Sequence, residues 1–430
     1  ARGLEGQGLH SRAVDVYLGL DTSVTDDEDF LEEMWERAVE VTMKFVPERG
    51  TEVVRTVCER LVGIKRYTAA GELYAGVGMY KEAIDSFVKA GEWDKAREVL
   101  GVAPKLKGYV EGLWVGNLKS SGRAEELVEV DAGAGLEALC AKREWETCLE
   151  KAAAQSPETL NKYLLRHSVT KIQDHDFGSA VSMILKYDVP TQPQNHDVYL
   201  RLAREILKSG KESPETVTSL REVLFKLSSI PAFQTYLQIT HLQTLRTYCL
   251  KKRDLAHFSG RQSIAMLRYI RDVPVDKAFY EAGLYAKENG MGGPGFVCWN
   301  RFLDVCEVFE DEGPTATLSN LDNTDFEGSD VPFDVEVGEL TVDDETREKV
   351  RDTVLQISLD THQPQELDHR DCEECGESIY DASLVCGRCQ AKCEACVVTG
   401  YPVLKNKVRC GSCSKFANKE DWNKFVMIER

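Results

Sequence analysis

Apolar residues recur at helical spacing along the first 310 residues of the chain. Ala83, Ile84, Phe87 and Val88, for example, would share one face of a helix, because residues three and four positions apart lie together on a helix surface. Similar patterns follow one another with turn residues between them. Residues 1–310 are therefore predicted to fold as one helix after another.

A short phrase recurs within this helical part: a glycine, a ring-bearing residue two positions on, and an alanine five positions on. It occurs at 8–13, 78–83 and 91–96. The glycine suits the left-handed conformation that ends a helix, the ring would wedge between successive helices, and the alanine would let them approach closely. The phrase resembles a degenerate tetratricopeptide repeat. Because such repeats bury a continuous core only by stacking, residues 1–310 are predicted to form a right-handed, tetratricopeptide-like helical solenoid.

The helical pattern breaks after residue 310. Residues 311–342 are rich in Asp, Thr, Ser and Gly with isolated apolar residues, which predicts an acidic, extended linker that lies along the solenoid. Residues 343–366 are predicted to contain a connecting helix, with Asp343 or Asp344 as its N-cap. Residues 367–430 then form a separate cysteine-rich module.

The charge of the chain is strongly negative and unevenly spread. The net charge is −19, and residues 310–345 contribute thirteen Asp or Glu and no Lys or Arg. This balance argues against sequence-independent nucleic-acid binding, which needs a basic surface. No run of eighteen apolar residues is present, so no membrane span is predicted. The chain lacks an initial Met and a signal-peptide pattern, and we expect it to be a fragment of a longer protein.

Motifs for catalysis are absent from the sequence. It contains no G-x-S-x-G elbow, Walker loop or H-E-x-x-H motif. Residues 290–295 match G-x-G-x-x-G, but a helix rather than a strand is predicted before them, so we interpret them as an interhelix turn. No catalytic or cofactor-binding residues are therefore predicted, and the chain is not expected to be an enzyme unless the terminal module has ligase activity.

The strongest chemical signal is a set of eight cysteines near the end of the chain. A Cys-x-x-Cys turn presents two sulfurs to one point, which is half of a tetrahedral zinc site. The predicted metal ligands are Cys372, Cys375, Cys386, Cys389, Cys393, Cys396, Cys410 and Cys413. They predict two structural zinc ions, each held by four thiolates with no open position for catalysis. Without an export signal, disulfides or redox-active pairs are the less favoured alternative.

Two pairings of these cysteines satisfy the spacing. Sequential pairing joins the first Cys-x-x-Cys pair to the second and the third to the fourth, whereas cross-brace pairing joins the first to the third and the second to the fourth. Cys375-Gly376 followed by Ile379 resembles a zinc-ribbon knuckle and favours the sequential scheme. Because a module of this size has few apolar residues, the metals are expected to hold it folded. Residues 418–426 are predicted to form a closing helix.

Three stretches of the module resemble the C-terminal part of the intraflagellar transport protein 172 family. They are Ile379–Leu384, Val398–Val403 and the helix at 418–426. The resemblance implies a scaffold subunit of the ciliary transport B complex, with partners among the B-complex and A-complex subunits. It also implies a role in ciliary assembly and in turnaround at the ciliary tip, and a location in the cilium or flagellum and basal body, on the cytoplasmic side.

The same stretch is similar to the U-box, the metal-free relative of RING domains. That resemblance implies an alternative function, a ubiquitin ligase that binds ubiquitin or a ubiquitin-conjugating enzyme, with Val397, Val398 and Pro402 at the docking positions. The chain departs from the U-box pattern because it retains four cysteine pairs. The predicted fold class is mostly α: a tetratricopeptide-like helical solenoid followed by a small zinc-binding α+β module of zinc-ribbon or RING/U-box-like type.

Overall fold

A computed structural model describes residues 1–360, 362, 364–411 and 413–429. The chain divides into two compact units, Ala1–Pro157 and Glu158–Arg430. The described residues contain 21 α-helices and four short β-strands. The predicted fold class, mostly helical with a small α+β module at the end, is confirmed. No helix within the described residues is long and apolar enough to cross a bilayer.

The first unit consists of consecutive helices that pack on their sequence neighbours. Its helices are α1 (Arg2–Gly6), α2 (His10–Leu18), α3 (Glu28–Phe45), α4 (Gly50–Gly63), α5 (Tyr67–Gly76), α6 (Tyr80–Ala90), α7 (Trp93–Glu98), α8 (Lys107–Ser121), α9 (Ala124–Val130), α10 (Ala132–Ala141) and α11 (Trp145–Gln155).

The recurring phrase has the conformation that its residues predict. Gly78 and Gly91 have φ of 78° and 82°, in the left-handed region where a side chain is unfavourable. The ring residues Tyr80 and Trp93 begin the next helices, and the alanine of each phrase is fully buried. The phrase therefore marks the points at which one helix ends and the next packs back on it.

The second unit continues the series of helices and ends in the cysteine-rich module. Its helices are α12 (Pro157–Gln173), α13 (Phe177–Lys186), α14 (His196–Ser209), α15 (Pro214–Lys226), α16 (Gln234–Leu250), α17 (Ser259–Met266), α18 (Val275–Glu288), α19 (Gly292–Glu312), α20 (Asp344–Leu359) and α21 (Lys419–Glu429). Its strands are β1 (His369–Asp371), β2 (Ser378–Tyr380), β3 (Lys407–Arg409) and β4 (Phe416–Asn418). Each pair of strands forms an antiparallel hairpin, with Arg370 opposite Ile379 and Val408 opposite Ala417.

The glycine-rich stretch at 290–295 lies between two helices, as predicted, but only Gly290 and Met291 form the turn, since Gly292 to Gly295 are already the first turn of α19. It joins α18 directly to α19, with Gly290 at φ 77°. A Cβ on Gly293 would lie 2.1 Å from the carbonyl oxygen of Glu366. The glycines therefore let the chain that leads into the module pass against the start of α19.

Residues 311–342, the acidic strap, pack onto the second unit through their few apolar side chains. Phe326, Val331, Val335 and Val337 are all buried. The Phe326 ring lies 5.9 Å from that of Phe279 on α18 and 6.2 Å from that of Tyr380 in the module. The strap therefore contacts both the helices and the module, while its acidic side chains largely face solvent.

The end of the strap is held by a buried carboxylate. Asp276, at the start of α18, is fully buried and accepts hydrogen bonds from the backbone N–H groups of Thr341 (2.5 Å) and Val342 (2.8 Å). Replacing Asp276 with Ala leaves two partly buried N–H groups without this partner, and we expect a loss of about 2–4 kcal/mol in unfolding free energy. Urea denaturation measures this loss, and limited proteolysis should show earlier cleavage within the strap. The control is Asp334→Ala, because Asp334 is an exposed residue of the same strap. Equal stability of the two variants would contradict the role of Asp276 in anchoring the strap.

A buried histidine should make the second unit sensitive to acid. His167 on α12 is 1% exposed, and burial lowers its pKa from the ordinary value of 6.5 to about 4. The unfolded chain therefore takes up a proton below pH 6.5 that the folded chain takes up only near pH 4, so stability falls as the pH falls through this window. The loss approaches about 3 kcal/mol. Urea denaturation between pH 7 and pH 4 should show this slope in the native chain and a shallower one in His167→Gln. His175→Gln, at an exposed position, should keep the native slope; an unchanged slope in His167→Gln would contradict the prediction.

Candidate metal centre and its contacts with the helices

The first two cysteine pairs form turns of the same kind. Gly376 N–H donates to Cys372 O (2.9 Å), and Cys372 N–H donates to Glu377 O (2.8 Å). At the second pair, Gln390 N–H donates to Cys386 O and Cys386 N–H to Ala391 O, both at 3.0 Å. Each turn closes with a residue of positive φ, 73° at Gly376 and 60° at Gln390. Both turns are knuckles that direct two sulfurs toward one point.

The two knuckles bring four sulfurs together. The Sγ atoms of Cys372, Cys375, Cys386 and Cys389 all lie within 4.8 Å of one another. Two of the separations, from Cys372 to Cys389 and from Cys375 to Cys386, are 3.7 Å. A tetrahedral site with Zn–S bonds of about 2.3 Å places its sulfurs about 3.8 Å apart. This first cysteine cluster could therefore hold a metal ion, and its members are those that sequential pairing predicts for one site.

The backbone around the first cysteine cluster favours thiolates at two positions. N–H groups of the Cys386–Cys389 turn hydrogen-bond to the Cys386 sulfur and lower its pKa to about 6. N–H groups of Glu374 and Cys375 likewise lower the pKa of Cys372. Desolvation and hydrogen bonds with the neighbouring sulfurs raise the pKa of Cys375 and raise that of Cys389 to about 12. The fit to zinc therefore depends on the four-sulfur donor set and its spacing.

The third Cys-x-x-Cys pair is built differently from the other three. The fourth pair forms a knuckle in which Ser414 N–H donates to Cys410 O (3.0 Å). In the other three pairs the N–H of the first cysteine donates to the carbonyl five residues on, but Cys393 N–H donates to Leu384 O (2.8 Å). The backbone at this pair therefore differs from the other knuckles, because the chain before Cys396 is bonded to the segment that precedes the second knuckle. The assignment of Cys393 and Cys396 as metal ligands stays a prediction.

The knuckle near the third pair begins at Cys396 rather than Cys393. Gly400 N–H donates to Cys396 O, and Cys396 N–H donates to Tyr401 O, both at 2.7 Å. Thr399, which is fully buried, occupies the place that the second cysteine has in the other knuckles. The sequence does carry a signal for this arrangement, since a glycine follows four residues after both Cys372 and Cys396.

The second predicted zinc site remains a prediction. In the described part of the chain, no second group of three or more His, Cys, Asp or Glu ligand atoms lies as close together as the first cysteine cluster. Cys396 and Cys413 do line one common groove, whereas Cys393 lines a different one together with Cys372 and Cys386.

Three side chains from the helical part hold the Cys396 knuckle. His241 Nε2 donates to Val397 O (2.8 Å), and Gln262 Nε2 donates to Val398 O (2.9 Å). Arg268 donates to Gly400 O (2.7 Å). Gly400 has a φ of 75°, and a Cβ there would lie 2.7 Å from the Cβ of Ala265. The knuckle is therefore fitted closely against α16, α17 and the turn after α17.

Arg268 joins three parts of the second unit. Besides Gly400, its guanidinium donates to Ala382 O (2.6 Å) and forms a 3.4 Å ion pair with Asp330 of the acidic strap. Asp330 in turn accepts from the Leu384 N–H (2.8 Å). The side chain of Arg268 is only 7% exposed. Sequence reasoning did not single out Arg268, Gln262 or His241, because nothing in their local sequence distinguishes them from other polar residues on helices.

Two of the three predicted docking residues, Val397 and Val398, lie on the side of the module that faces the helices. Val398 and Pro402 are buried and Val397 is partly buried. Val397 and Val398 pack in one apolar cluster with Cys249 and Phe258 from the helical part. Trp422 and Phe425 of the closing helix α21 join the same cluster. The chain's own helices therefore cover Val398 and part of Val397.

The fold and the site together define a class of protein: an array of packed α-helices that ends in a cysteine-rich module able to hold a metal ion. No known protein-family profile matches the chain. Curated proteins do match it along almost its whole length. The chain is 35% identical over 446 residues to the intraflagellar transport protein 172 homolog of Mus musculus, covering 99% of this chain and 25% of that protein.

Two more distant relatives carry related names. Intraflagellar transport protein 172 of Chlamydomonas reinhardtii is 33% identical, covering 99% of this chain and 26% of that protein. Intraflagellar transport protein osm-1 of Caenorhabditis elegans is 28% identical, covering 100% of this chain and 25% of that protein. The chain spans about a quarter of the length of these relatives. The predicted resemblance to the intraflagellar transport protein 172 family is confirmed over essentially the whole chain.

Proposed function

We propose that the chain is part of an adaptor subunit of intraflagellar transport trains, acting in the cilium or flagellum. The observation that carries this proposal is the similarity of 99% of the chain to proteins named for that process in animals and an alga. Packed helical arrays offer extended surfaces for other proteins, which suits an adaptor. The partners expected from the resemblance are subunits of the B complex and the A complex, and the expected processes are ciliary assembly and turnaround at the ciliary tip.

Within this adaptor the first cysteine cluster would bind zinc for a structural purpose. Its four sulfurs fill a tetrahedral coordination shell and leave no position for a reacting water. The zinc would fix the two knuckles relative to each other and so give the module a defined surface. A second zinc ion at the remaining cysteines is predicted by the sequence alone, and metal analysis of the purified chain distinguishes one ion per chain from two.

The adaptor proposal is tested by affinity purification of the tagged protein, in its full length, from ciliated cells. We expect other intraflagellar transport subunits to co-purify and the tagged protein to lie along the cilium by fluorescence microscopy. A tagged version that lacks residues 1–430 is the matched comparison, because it shows which partners depend on this part. Recovery of the protein without any transport subunit would overturn the proposal.

The ubiquitin alternative has less support from the contacts of the module. A conjugating enzyme would have to reach Val398 and Pro402, both of which are buried. An in vitro assay with ubiquitin and conjugating enzymes, comparing the parent chain with Pro402→Ala, tests this function. Ubiquitin chains formed by the parent and lost in the variant would favour the ligase over the adaptor as the activity of the module.

A further inference from the structure

A groove separates α15 and α16 from the cysteine-rich module. Its volume is about 420 Å³, and its apolar lining includes Phe225, Leu237, Ala395 and Val397. The Phe225 side chain on α15 is 50% exposed, which is unusual for an aromatic ring. The groove, which we call the module groove, is large enough to accept one or two bulky apolar side chains.

The charge around the module groove is the reverse of the charge of the chain. Arg221 and Lys415 line it, and no Asp or Glu does so among the described residues. Residues 395–419, the segment that supplies the lining residues on the module side, contain five Lys or Arg and no acidic residue, although the whole chain has a net charge of −19. Of these five, only Lys415 lines the module groove itself. Lys415 is exposed. The module groove therefore combines an apolar floor with a basic rim.

We propose that the module groove binds an acidic peptide segment of a partner protein, with a bulky apolar side chain of that segment inserted beside Phe225. This proposal rests on the adaptor function proposed above and names one of the surfaces that such an adaptor would use. Burial of an apolar side chain supplies affinity, and carboxylates of the segment would pair with Arg221 and Lys415 and select its charge.

Other occupants fit the module groove less well. The chain's own acidic strap buries Phe326, Val331, Val335 and Val337 elsewhere. Its partly exposed apolar residues, Leu321, Phe333 and Leu340, do not line the module groove either. A lipid surface would match the basic charge, but it would not fill a concave apolar floor as a single side chain does. A peptide segment matches both the shape and the charge.

Binding is measured by fluorescence anisotropy of the whole chain with a labelled synthetic peptide in which Asp and Glu flank two Phe residues. We expect Phe225→Ala to weaken binding about tenfold or more, as loss of a central aromatic contact does. Lys415→Glu should weaken it about fivefold, with a smaller dependence on salt than in the parent. Circular dichroism should show unchanged helix content in both variants, because both side chains are largely exposed.

Two control substitutions make the same chemical changes outside the module groove. Phe30→Ala removes another exposed ring (42% exposed) in the first unit, and Lys405→Glu reverses another exposed charge on the module. Both are expected to bind the peptide within about twofold of the parent, since neither residue lines the module groove.

Several results would overturn the proposal. The first is that the parent chain shows no measurable binding of the peptide. The second is that Phe225→Ala binds the peptide as tightly as the parent chain does, or that the parent chain binds equally well a peptide in which Ala replaces both Phe residues. The third is that Lys405→Glu weakens binding as much as Lys415→Glu does. If the chain bound phosphatidylserine vesicles more tightly than the acidic peptide, and Phe225→Ala did not weaken the binding to vesicles, the module groove would be identified as a lipid-binding surface instead. Co-purification with transport subunits is independent of these measurements, so failure of the module groove leaves the adaptor proposal standing.

Discussion

Replacing Cys386 with Ser is expected to remove the metal ion from the first cysteine cluster and to unfold the β1–β2 end of the module. Among the described residues, the apolar cluster at this end has Cys372, Ile379 and Cys386 as its buried members, with Ala391 packed against them. Two of those three residues are themselves ligands of the proposed site. Because structural zinc contributes roughly 10–16 kcal/mol to the folding of zinc-finger peptides near pH 7, its loss should outweigh what so small a core can supply.

The effect of Cys386→Ser should stop within the module. The β3–β4 end shares an apolar cluster with α16 that includes Cys249, Phe258 and Val398, so it should stay folded when the first end does not. Metal analysis by mass spectrometry measures the lost ion, and limited proteolysis followed by mass mapping locates the unfolded end. Treatment of the parent chain with a strong chelator should reproduce the same cleavage pattern.

The matched control for Cys386→Ser is Cys58→Ser. Cys58 is fully buried in the first unit, and its sulfur lies 3.5 Å from the carbonyl oxygen of Ala70. This variant should keep the full metal content, because the residue lies outside the module. If Cys386→Ser retained as much metal as the control and resisted proteolysis equally, the first cysteine cluster would not be a structural metal site.

Replacing Arg268 with Ala is expected to lower the unfolding free energy of the second unit by about 3–5 kcal/mol. The change leaves the buried carbonyls of Gly400 and Ala382 without donors and Asp330 without its ion-pair partner. Each unsatisfied buried group costs about 1–3 kcal/mol, and breaking a buried ion pair is costly for the same reason. Since Arg268 bonds to the strap and to both ends of the module, all three should loosen together.

Urea denaturation and hydrogen–deuterium exchange measure the effect of Arg268→Ala. Exchange should rise at the Cys396 knuckle, at the strap around Asp330 and at the loop around Ala382, while helices α1–α11 keep their native protection. Arg271→Ala is the matched control, because Arg271 is 53% exposed and pairs with the exposed Asp334; exposed ion pairs contribute about 1 kcal/mol or less. Equal destabilisation by the two substitutions would show that Arg268 is not a connecting residue.

Particular elements show how far sequence reasoning reached. Gly78 and Gly91 were predicted to end helices, and their positive φ values confirm this. The sequence predicts Asp343 or Asp344 as a helix cap; Asp343 is the cap, and its carboxylate accepts from Thr346 N–H at 2.9 Å at the start of α20. The grouping of the first two cysteine pairs also agrees with the favoured scheme. In each case the relevant partners lie within a few residues or in neighbouring turns, so local spacing carries the information.

The third cysteine pair shows where that reasoning ends. Cys393 and Cys396 have the same spacing as the other pairs, yet Cys393 is bonded to Leu384 and the knuckle begins at Cys396. A spacing rule counts residues along the chain and does not include competition from a neighbouring segment for the same backbone N–H group. The assignment of Cys393 as a ligand is therefore tested by the number of metal ions per purified chain, two if the second predicted site is occupied and one if it is not.

The sequence by itself determined the helices, their ends and the presence of closely spaced cysteine pairs, because each depends on residues a few positions apart. Only the tertiary structure decided which side of the module meets the helices. The bonds that fix this side join residues 114 to 156 positions apart: Arg268 to Ala382 and His241 to Val397 are the two extremes. Such contacts exist only after the helices have packed, because packing alone brings a buried donor on one element to a carbonyl on another.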